Sequence, residues 1–319
     1  MTPARPDLST SPSPRAEGEP RDARAGRLAA LAPPLFVVLW SSAFIAGIPG
    51  VKVAPPLLLM FARFAVAGAL LSGYALLTRA PWPRGRALAH IAVSGLLIQA
   101  VQFGAFYSAL GLGFPAAVVS LVQGLNPVVI ALAARFVGES VSGRQWIGFL
   151  LGASGVVLAV AGRVSLSAWG VVLCLAGLAG LSAGTLYQKR FVRGMDLRTG
   201  TAVQLLVSAP AVGLACLVAE QPRVSDWPTF GGSVAWMVLV NSIAAFILLN
   251  RMLLRSSASR VSTVFFLTPS VTALLAWLLA GQTLDPLALA GLALGGVGVL
   301  LAGAASGTRG RTSRGRSPS

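Results

Sequence analysis

The chain has 319 residues, of which 55% are hydrophobic and only 11% are charged, with a mean hydropathy of +0.78 and a net charge of +16. A soluble domain carries about 25% charged residues, so this composition excludes an ordinary soluble protein and predicts a polytopic helical membrane protein. Most basic residues lie in the tails and in short loops between apolar stretches, where topology signals belong. Nucleic acid is therefore not a predicted partner.

Two polar tails flank the apolar part of the chain. Residues 1–27 are rich in Pro, Ser, Arg and acidic residues, and such a segment buries too little apolar surface to fold. We predict a disordered cytoplasmic tail there and a basic cytoplasmic tail at 305–319. Between them, apolar runs of about 18 or more residues are long enough to cross a bilayer as helices. They predict an all-α integral membrane protein with ten transmembrane helices, at 28–48, 55–78, 88–110, 116–137, 145–162, 168–188, 199–219, 232–252, 261–280 and 286–304.

The fourth and fifth spans resemble the ninth and tenth at a nearly constant offset. Pro127 corresponds to Pro269 at an offset of 142, and three glycines correspond to three others at an offset of 143, namely Gly148, Gly152 and Gly155 with Gly291, Gly295 and Gly298. Such spacing indicates two homologous five-helix halves, 28–162 and 168–304. Because five is odd, the second half begins on the opposite face of the membrane, which predicts inverted repeats of the kind found in secondary transporters. The glycines predict close helix packing.

The distribution of basic residues predicts the orientation. With the N terminus in the cytoplasm, 20 Lys and Arg residues fall on the inner side and three on the outer side, Lys52, Arg163 and Arg223. This bias follows the positive-inside rule. We therefore predict that both termini are cytoplasmic.

Arg63 is the clearest candidate for a functional residue. It lies eight or nine residues into the second span, and charges within the membrane are costly and face the bundle interior. One interpretation is a cationic anchor for a carboxylate or phosphate of the substrate. The other is an arginine that binds broken backbone carbonyls or extends its head group toward the interface.

Other polar or aromatic side chains within the spans predict a cavity lining. Gln99 and Gln102 are three residues apart and share a helix face, and Gln204 lies 141 residues after Arg63, as its counterpart in the second half. The alternative for each amide or hydroxyl is an interhelical hydrogen bond, worth about 0.6 kcal/mol. The full set of predicted substrate-binding residues is Trp40, Arg63, Gln99, Gln102, Tyr107, Gln123, Asn126, Tyr187, Gln204 and Asn241.

The titratable residues argue against catalysis. None of the nine acidic residues lies in mid-span, the single histidine is His90, and both cysteines, Cys174 and Cys216, are inside apolar spans. Enzymes need a nucleophile with a base, an acid pair or a metal site, so we predict no enzyme, no catalytic residues, no metal and no cofactor. Exchange of cationic drugs for protons usually uses a buried carboxylate. Because no acidic residue lies in mid-span, we do not predict this kind of exchange.

Several motifs resemble the EamA family of the drug/metabolite transporter superfamily. They are the WSSAF stretch from Trp40 to Phe44, the Arg63-Phe64 pair, the proline-centred fourth and ninth spans, and Gly138-Glu139 before a glycine-rich span. The resemblance covers nearly all of the apolar part of the chain. One departure is Gly281-Gln282, where the family often has Gly-Glu, and we expect that turn to have lost a charge interaction.

The resemblance implies a multi-pass metabolite carrier of the inner (plasma) membrane. We expect a secondary transporter that moves small polar metabolites, amino acids or related zwitterions and anions, outward by alternating access. A multidrug efflux carrier and a lipid-carrier flippase on the same fold remain alternatives. The predicted partners are a small-molecule substrate and the lipid bilayer, and a homodimer stays an open alternative.

Overall fold

The computed structural model describes residues 19–135, 143–161, 167–192, 194–245, 247–248, 252, 267–282 and 286–307. All regular secondary structure within these residues is helical, as the composition predicted. The first half contains α1 (Glu19–Val53), α2 (Pro56–Leu77), α3 (Gly85–Gly95), a first π segment (Leu96–Val101), α4 (Gln102–Gly111), α5 (Ala116–Gly124), α6 (Asn126–Arg135) and α7 (Gly143–Ala161). The second half contains α8 (Ala168–Phe191), α9 (Leu197–Ala219), α10 (Trp227–Trp236), a second π segment (Met237–Ala245), α11 (Thr268–Ala280) and α12 (Pro286–Gly307).

Six helical stretches in the described residues are long and apolar enough to cross a membrane, namely Leu31–Val53, Pro56–Leu77, Gly85–Gly111, Ala168–Phe191, Leu197–Ala219 and Trp227–Ala245. Four shorter apolar helices lie where the fourth, fifth, ninth and tenth spans are predicted, at Ala116–Ile130, Trp146–Gly155, Thr268–Ala280 and Leu289–Gly298. The count of ten crossings therefore stays a prediction. The helix α1 also includes residues 19–27 of the tail predicted to be disordered, where Ala, Arg and Leu favour a helix.

Local sequence signals set the helix ends. Pro56 occupies the first turn of α2, where a backbone N–H would have no partner within the helix, so the missing N–H of proline costs no hydrogen bond. Short polar side chains cap later helices: Ser167 accepts from the backbone N–H of Gly170, and Asp196 accepts from that of Arg198. At the end of α11, Gly281 has φ +61°, the left-handed conformation that favours glycine.

The long helices α2 and α9 pack against each other in antiparallel directions. At one end, the Glu220 carboxylate after α9 accepts a 3.0 Å hydrogen bond from the Leu57 N–H at the start of α2. At the other end, Thr199 Oγ1 donates a 2.8 Å hydrogen bond to the carbonyl oxygen of Pro81, beyond the end of α2. Between them, Gly68 faces Leu206. The two halves of the chain therefore contact each other along the full length of α2 and α9.

The helices α7 and α12 form a second antiparallel pair whose contact is made by glycine. A Cβ placed on Gly155 would lie 2.5 Å from the carbonyl oxygen of Gly291, and one on Gly298 would lie 2.6 Å from that of Gly148. The backbones thus touch without intervening side chains. The predicted role of these glycines in close helix packing is confirmed.

The most deeply buried side chains lie between α1, α2, α4 and α5. Tyr107, Phe64, Phe106 and Leu121 are each 0% exposed. The first π segment packs against α8 and α9, whereas the second packs against α1 and α2. The second π segment therefore adjoins this central packing, and it contributes Asn241 to the candidate site.

Candidate substrate-binding site

Arg63 lies on the buried face of α2 with only 4% of its surface exposed. Its Nη2 donates a 2.7 Å hydrogen bond to Asn241 Oδ1. Among the residues that the structure describes, the other two guanidinium nitrogens, Nε and Nη1, are buried and have no hydrogen-bond partner. A buried donor without a partner costs about 1–3 kcal/mol, and more when it is charged. The guanidinium thus keeps binding capacity that its protein neighbours leave unused.

Aromatic rings surround the free side of the guanidinium. Its carbon atom is 4.7 Å from the ring centre of Phe103 and 5.9 Å from that of Phe64, within the range of cation–π attraction. The Tyr107 ring lies next to that of Phe103, with centroids 6.3 Å apart, and its hydroxyl donates a 2.9 Å hydrogen bond to the carbonyl oxygen of Ala43. Arg63 makes no ion pair within the described residues, so aromatic faces and Asn241 alone stabilise its charge there.

Asn241 lies in the second π segment and connects three elements. While Oδ1 accepts from Arg63, Nδ2 donates to the carbonyl oxygen of Trp40 at 3.2 Å. The Trp40 ring packs at a tilt against Phe36, with centroids 5.6 Å apart. A π-helical turn widens a helix locally and occurs often at functional sites. Arg63, Tyr107, Asn241 and Trp40 therefore form one group of predicted site residues, which we name the Arg63 site.

Gln102 and Gln99 differ in their exposure to solvent, although Gln102 begins α4 and Gln99 lies only three residues before it. Gln102 is 2% exposed, and its Oε1 accepts no hydrogen bond from any residue that the structure describes. It directly precedes Phe103, whose ring contacts Arg63. Gln99 lies within the first π segment and is partly buried. Gln102 and Gln99 thus both lie in the helical segment that leads into Phe103, and Gln102 is the more buried of the two.

Gln204 and Tyr187 belong to a different group, between α3, α8 and α9. Gln204 Nε2 donates to Ser94 Oγ at 3.0 Å and to Gln188 Oε1 at 3.1 Å. The Tyr187 hydroxyl is 2.8 Å from His90 Nδ1. The structure thus does not bring Gln204 to Arg63, because the contacts of Gln204 lie toward the opposite end of the antiparallel α2–α9 pair.

Asn126 and Gln123 form a third group near the junction of α5 and α6. Asn126 Oδ1 accepts a 2.9 Å hydrogen bond from Ser182 Oγ on α8. Gln123 is partly buried, and its Oε1 has no hydrogen-bond partner in the described ranges. The hydrogen bond to Ser182 is the interhelical contact that the sequence left open as the alternative for Asn126.

The sequence did not reveal two side chains that cap distant helices. Glu220 accepts from Leu57 N at the start of α2, and Gln282 Oε1 accepts a 3.2 Å hydrogen bond from Ala116 N at the start of α5. Gln282 is the residue that stands where the related family often has Glu, and its amide still caps a helix. Neither contact has a local sequence signal, since the partners are 163 and 166 residues apart.

At the end of the bundle where α1 ends and α2 begins, the described residues line two cavities. The larger, about 870 Å³, lies between α1, α2, α4, α8 and α9, and we name it the end cavity. The smaller, about 590 Å³, lies between α1, α10 and α11 and includes Ser42 and Trp236, whose Nε1 donates to Ser42 Oγ at 2.9 Å. Lys52 lines both cavities, and none of the ten predicted site residues lines either of them.

The sequence matches the EamA-like transporter family over residues 28–161 and again over residues 168–304. The chain belongs to the EamA-like transporter family. Two of its relatives are an "Uncharacterized inner membrane transporter YedA" from Escherichia coli K12 and a "Probable terminal-alkyne amino-acid exporter" from Streptantibioticus cattleyicolor. The first is 27% identical over 78% of this chain and 81% of its own length, and the second is 31% identical over 84% and 90%.

One solved crystal structure of a protein superposes on this EamA-like chain with a TM-score of 0.61, covering 86% of this chain and 97% of the other at 22% identity. This likeness shows the fold alone. The family and both named relatives are transporters, which fits the prediction that the chain is not an enzyme.

Proposed function

We propose that this protein is a secondary transporter of small carboxylate-bearing metabolites and that Arg63 binds the carboxylate. The observation that carries the proposal is the pair of buried guanidinium nitrogens that have no hydrogen-bond partner in the described part of the chain. A planar guanidinium matches a carboxylate through two parallel hydrogen bonds. A buried cation without an ion-pair partner costs several kcal/mol, and a bound carboxylate would offset that cost.

The relatives support a substrate class and a direction. One relative is named as an exporter of an amino acid, and an amino acid carries the carboxylate that Arg63 fits. The aromatic rings of Phe103 and Tyr107 beside the guanidinium favour a substrate whose remaining part is apolar. We therefore assign outward transport of amino acids or related zwitterions and anions, and the inner membrane named for the other relative.

Alternating access between inverted repeats is the mechanism we infer. The antiparallel α2–α9 and α7–α12 pairs support five spans in each half, 28–162 and 168–304, because equivalent helices of inverted repeats meet across a two-fold axis. The π segments support it too, since the second begins at Met237, 141 residues after Leu96 begins the first. Ten spans would place both termini on the same side of the membrane, and the distribution of Lys and Arg assigns that side to the cytoplasm.

A lipid-carrier flippase is the second candidate, and one observation favours it. The smaller cavity is lined largely by apolar residues, with Lys52 among its lining residues. Two of its lining side chains, Leu279 and Trp236, are 70% and 48% exposed on the bundle surface. A cavity that reaches the bilayer laterally with a cation in its lining suits an acyl chain with an anionic head group.

Counterflow in proteoliposomes tests the proposal. Vesicles loaded with unlabelled leucine take up labelled leucine if the protein carries amino acids, and Arg63→Gln should lower the initial rate at least tenfold because the carboxylate loses its cation. Arg86→Gln, an exposed arginine of α3, is the matched control and should transport normally. Undiminished counterflow in Arg63→Gln overturns the role of Arg63. Transbilayer movement of a labelled lipid without amino-acid counterflow would favour the second candidate.

A further inference from the structure

The end cavity collects unpaired charges of both signs from both halves of the chain. Lys52 comes from the last turn of α1, Glu220 from the end of α9, and Arg223 from the loop that follows. None of the three forms an ion pair within the part of the chain that the structure describes. The two cations and the carboxylate line a single cavity of about 870 Å³. A ligand that carries one negative and one positive group would therefore find a group of opposite charge for each.

The Glu220 carboxylate is held in place by the start of α2. It accepts hydrogen bonds from the Leu57 N–H at 3.0 and 3.4 Å, one to each of its oxygens. The side chain is partly buried, and burial raises the pKa of its carboxyl, against the opposing effect of the Leu57 hydrogen bond. Because this partly desolvated carboxylate forms no ion pair within the described residues, an ammonium group that enters the cavity would stabilise it.

The remaining lining is mainly apolar and includes an aromatic ring. Leu173 and Val224 are partly buried, and Trp169 of α8 is 64% exposed. Ligand sites of a few hundred to about 1,000 Å³ usually combine such walls with a few polar groups that orient the ligand. The end cavity has this composition.

We propose that the end cavity is a second binding site, for a zwitterionic amino acid, separate from the Arg63 site. Lys52 and Arg223 hold the ligand carboxylate, Glu220 holds its ammonium group, and Trp169 and Leu173 contact its apolar side chain. The inference rests on the proposed function for its ligand class. In the predicted orientation this end faces outward, so an exported amino acid occupies the site after it leaves Arg63.

The test measures binding of leucine to the full-length protein in nanodiscs of phosphatidylglycerol. Isothermal titration is carried out in the Arg63→Gln background, so that the Arg63 site does not contribute. Leucine should bind at least tenfold more tightly than 4-methylpentanoate, which lacks the ammonium group, or isopentylamine, which lacks the carboxylate. Glu220→Gln and Arg223→Gln should each weaken leucine binding at least tenfold. Arg86→Gln is the matched control and should have no effect.

The variants separate loss of recognition from loss of folding. Gln at position 220 keeps an oxygen that accepts from Leu57, and Arg223 is exposed, so both proteins should keep the melting temperature of the parent. Leucine binding that neither variant weakens, or no leucine binding in the Arg63→Gln background, overturns the inference. Nanodiscs that contain phosphatidylethanolamine test whether a lipid head group is the ligand instead, because this head group also carries a positive and a negative charge. Competition by that lipid with no binding of free leucine would assign the cavity to a head group and overturn the inference.

Failure of this inference is distinguishable from failure of the proposed function. Counterflow that depends on Arg63 and is unaffected by Glu220→Gln, with no binding at the end cavity, removes the second site and leaves the transporter assignment intact. If leucine binds at the end cavity but no counterflow is measured, the second binding site stands and the proposed transport of amino acids is wrong.

Discussion

Arg63 Nη2 and Asn241 Oδ1 are 2.7 Å apart, and this hydrogen bond joins residues 178 positions apart in the chain. Replacing Asn241 with Asp should create an internal ion pair of nearly the same shape. The new carboxylate competes with the substrate for the guanidinium, so the KM for leucine counterflow should rise at least tenfold, which corresponds to about 1.4 kcal/mol. Initial rates over a range of leucine concentrations give this value.

Asn241→Ala provides the contrast for that prediction. It removes the acceptor without adding charge, leaving a third guanidinium nitrogen without a partner. Thermal stability should fall by about 1–3 kcal/mol, whereas the KM should rise much less than in Asn241→Asp. If the Asp and Ala variants have equal KM values, the guanidinium does not bind the substrate carboxylate.

Gly155→Ala should destabilise the protein. Its Cβ would lie 2.5 Å from backbone atoms of Gly291 and Gly295, which cannot move without separating α7 from α12. Overpacking of this kind costs about 1–3 kcal/mol, measurable as a lower melting temperature in detergent. Gly73→Ala on α2 is the control, because nothing lies within 4 Å of the added Cβ, and alanine favours a helix by about 0.8–1 kcal/mol. Equal melting temperatures for the two variants would contradict the close backbone contact.

Gln282→Glu should stabilise the protein. The side-chain oxygen at this position accepts from Ala116 N at the start of α5, and a negative charge at a helix N terminus contributes about 0.3–1 kcal/mol. The gain should be measurable as a higher melting temperature at pH 7 and should vanish as the pH falls through the carboxyl pKa. A Glu variant less stable than the parent at pH 7 would show that the amide N–H₂ is required there.

The pH dependence of leucine binding to the end cavity should follow Glu220. Burial raises the pKa of this carboxyl above that of an ordinary glutamate, about 4.3. The other charged or titratable groups around it are Lys52, Cys216 and Arg223. Protonation removes the partner of the ligand ammonium, so affinity in the Arg63→Gln background should fall as the pH drops through this raised pKa.

The unliganded protein should respond to pH in the opposite sense. Between the unfolded and the raised folded pKa, the folded state binds more protons, so the contribution of Glu220 to stability increases as the pH falls. Glu220→Gln should abolish both effects. Binding that is equally pH-dependent in Glu220→Gln would assign the titration to another group.

Sequence periodicity and special residues predicted the helical class, close packing at the two glycine-rich helices and a position of Arg63 inside the bundle. These features depend on residue type and local spacing. The separation of Gln204 from Arg63 was not predictable, because repeat equivalence places the two at corresponding positions but not in contact. The capping of α2 by Glu220 and the pairing of Tyr187 with His90 depend on how distant helices meet. The π segments have no pattern in the sequence that distinguishes them from α-helix.

The α7–α12 contact has a consequence for each half of the chain on its own. Residues 1–166, expressed alone, would leave the glycine face of α7 without α12, and α2 without α9. A second copy of the same fragment in the opposite orientation presents matching surfaces to both. Such a fragment should assemble as an antiparallel dual-topology dimer, and the complementary fragment 167–319, when co-expressed, should replace one copy and restore the native pairing.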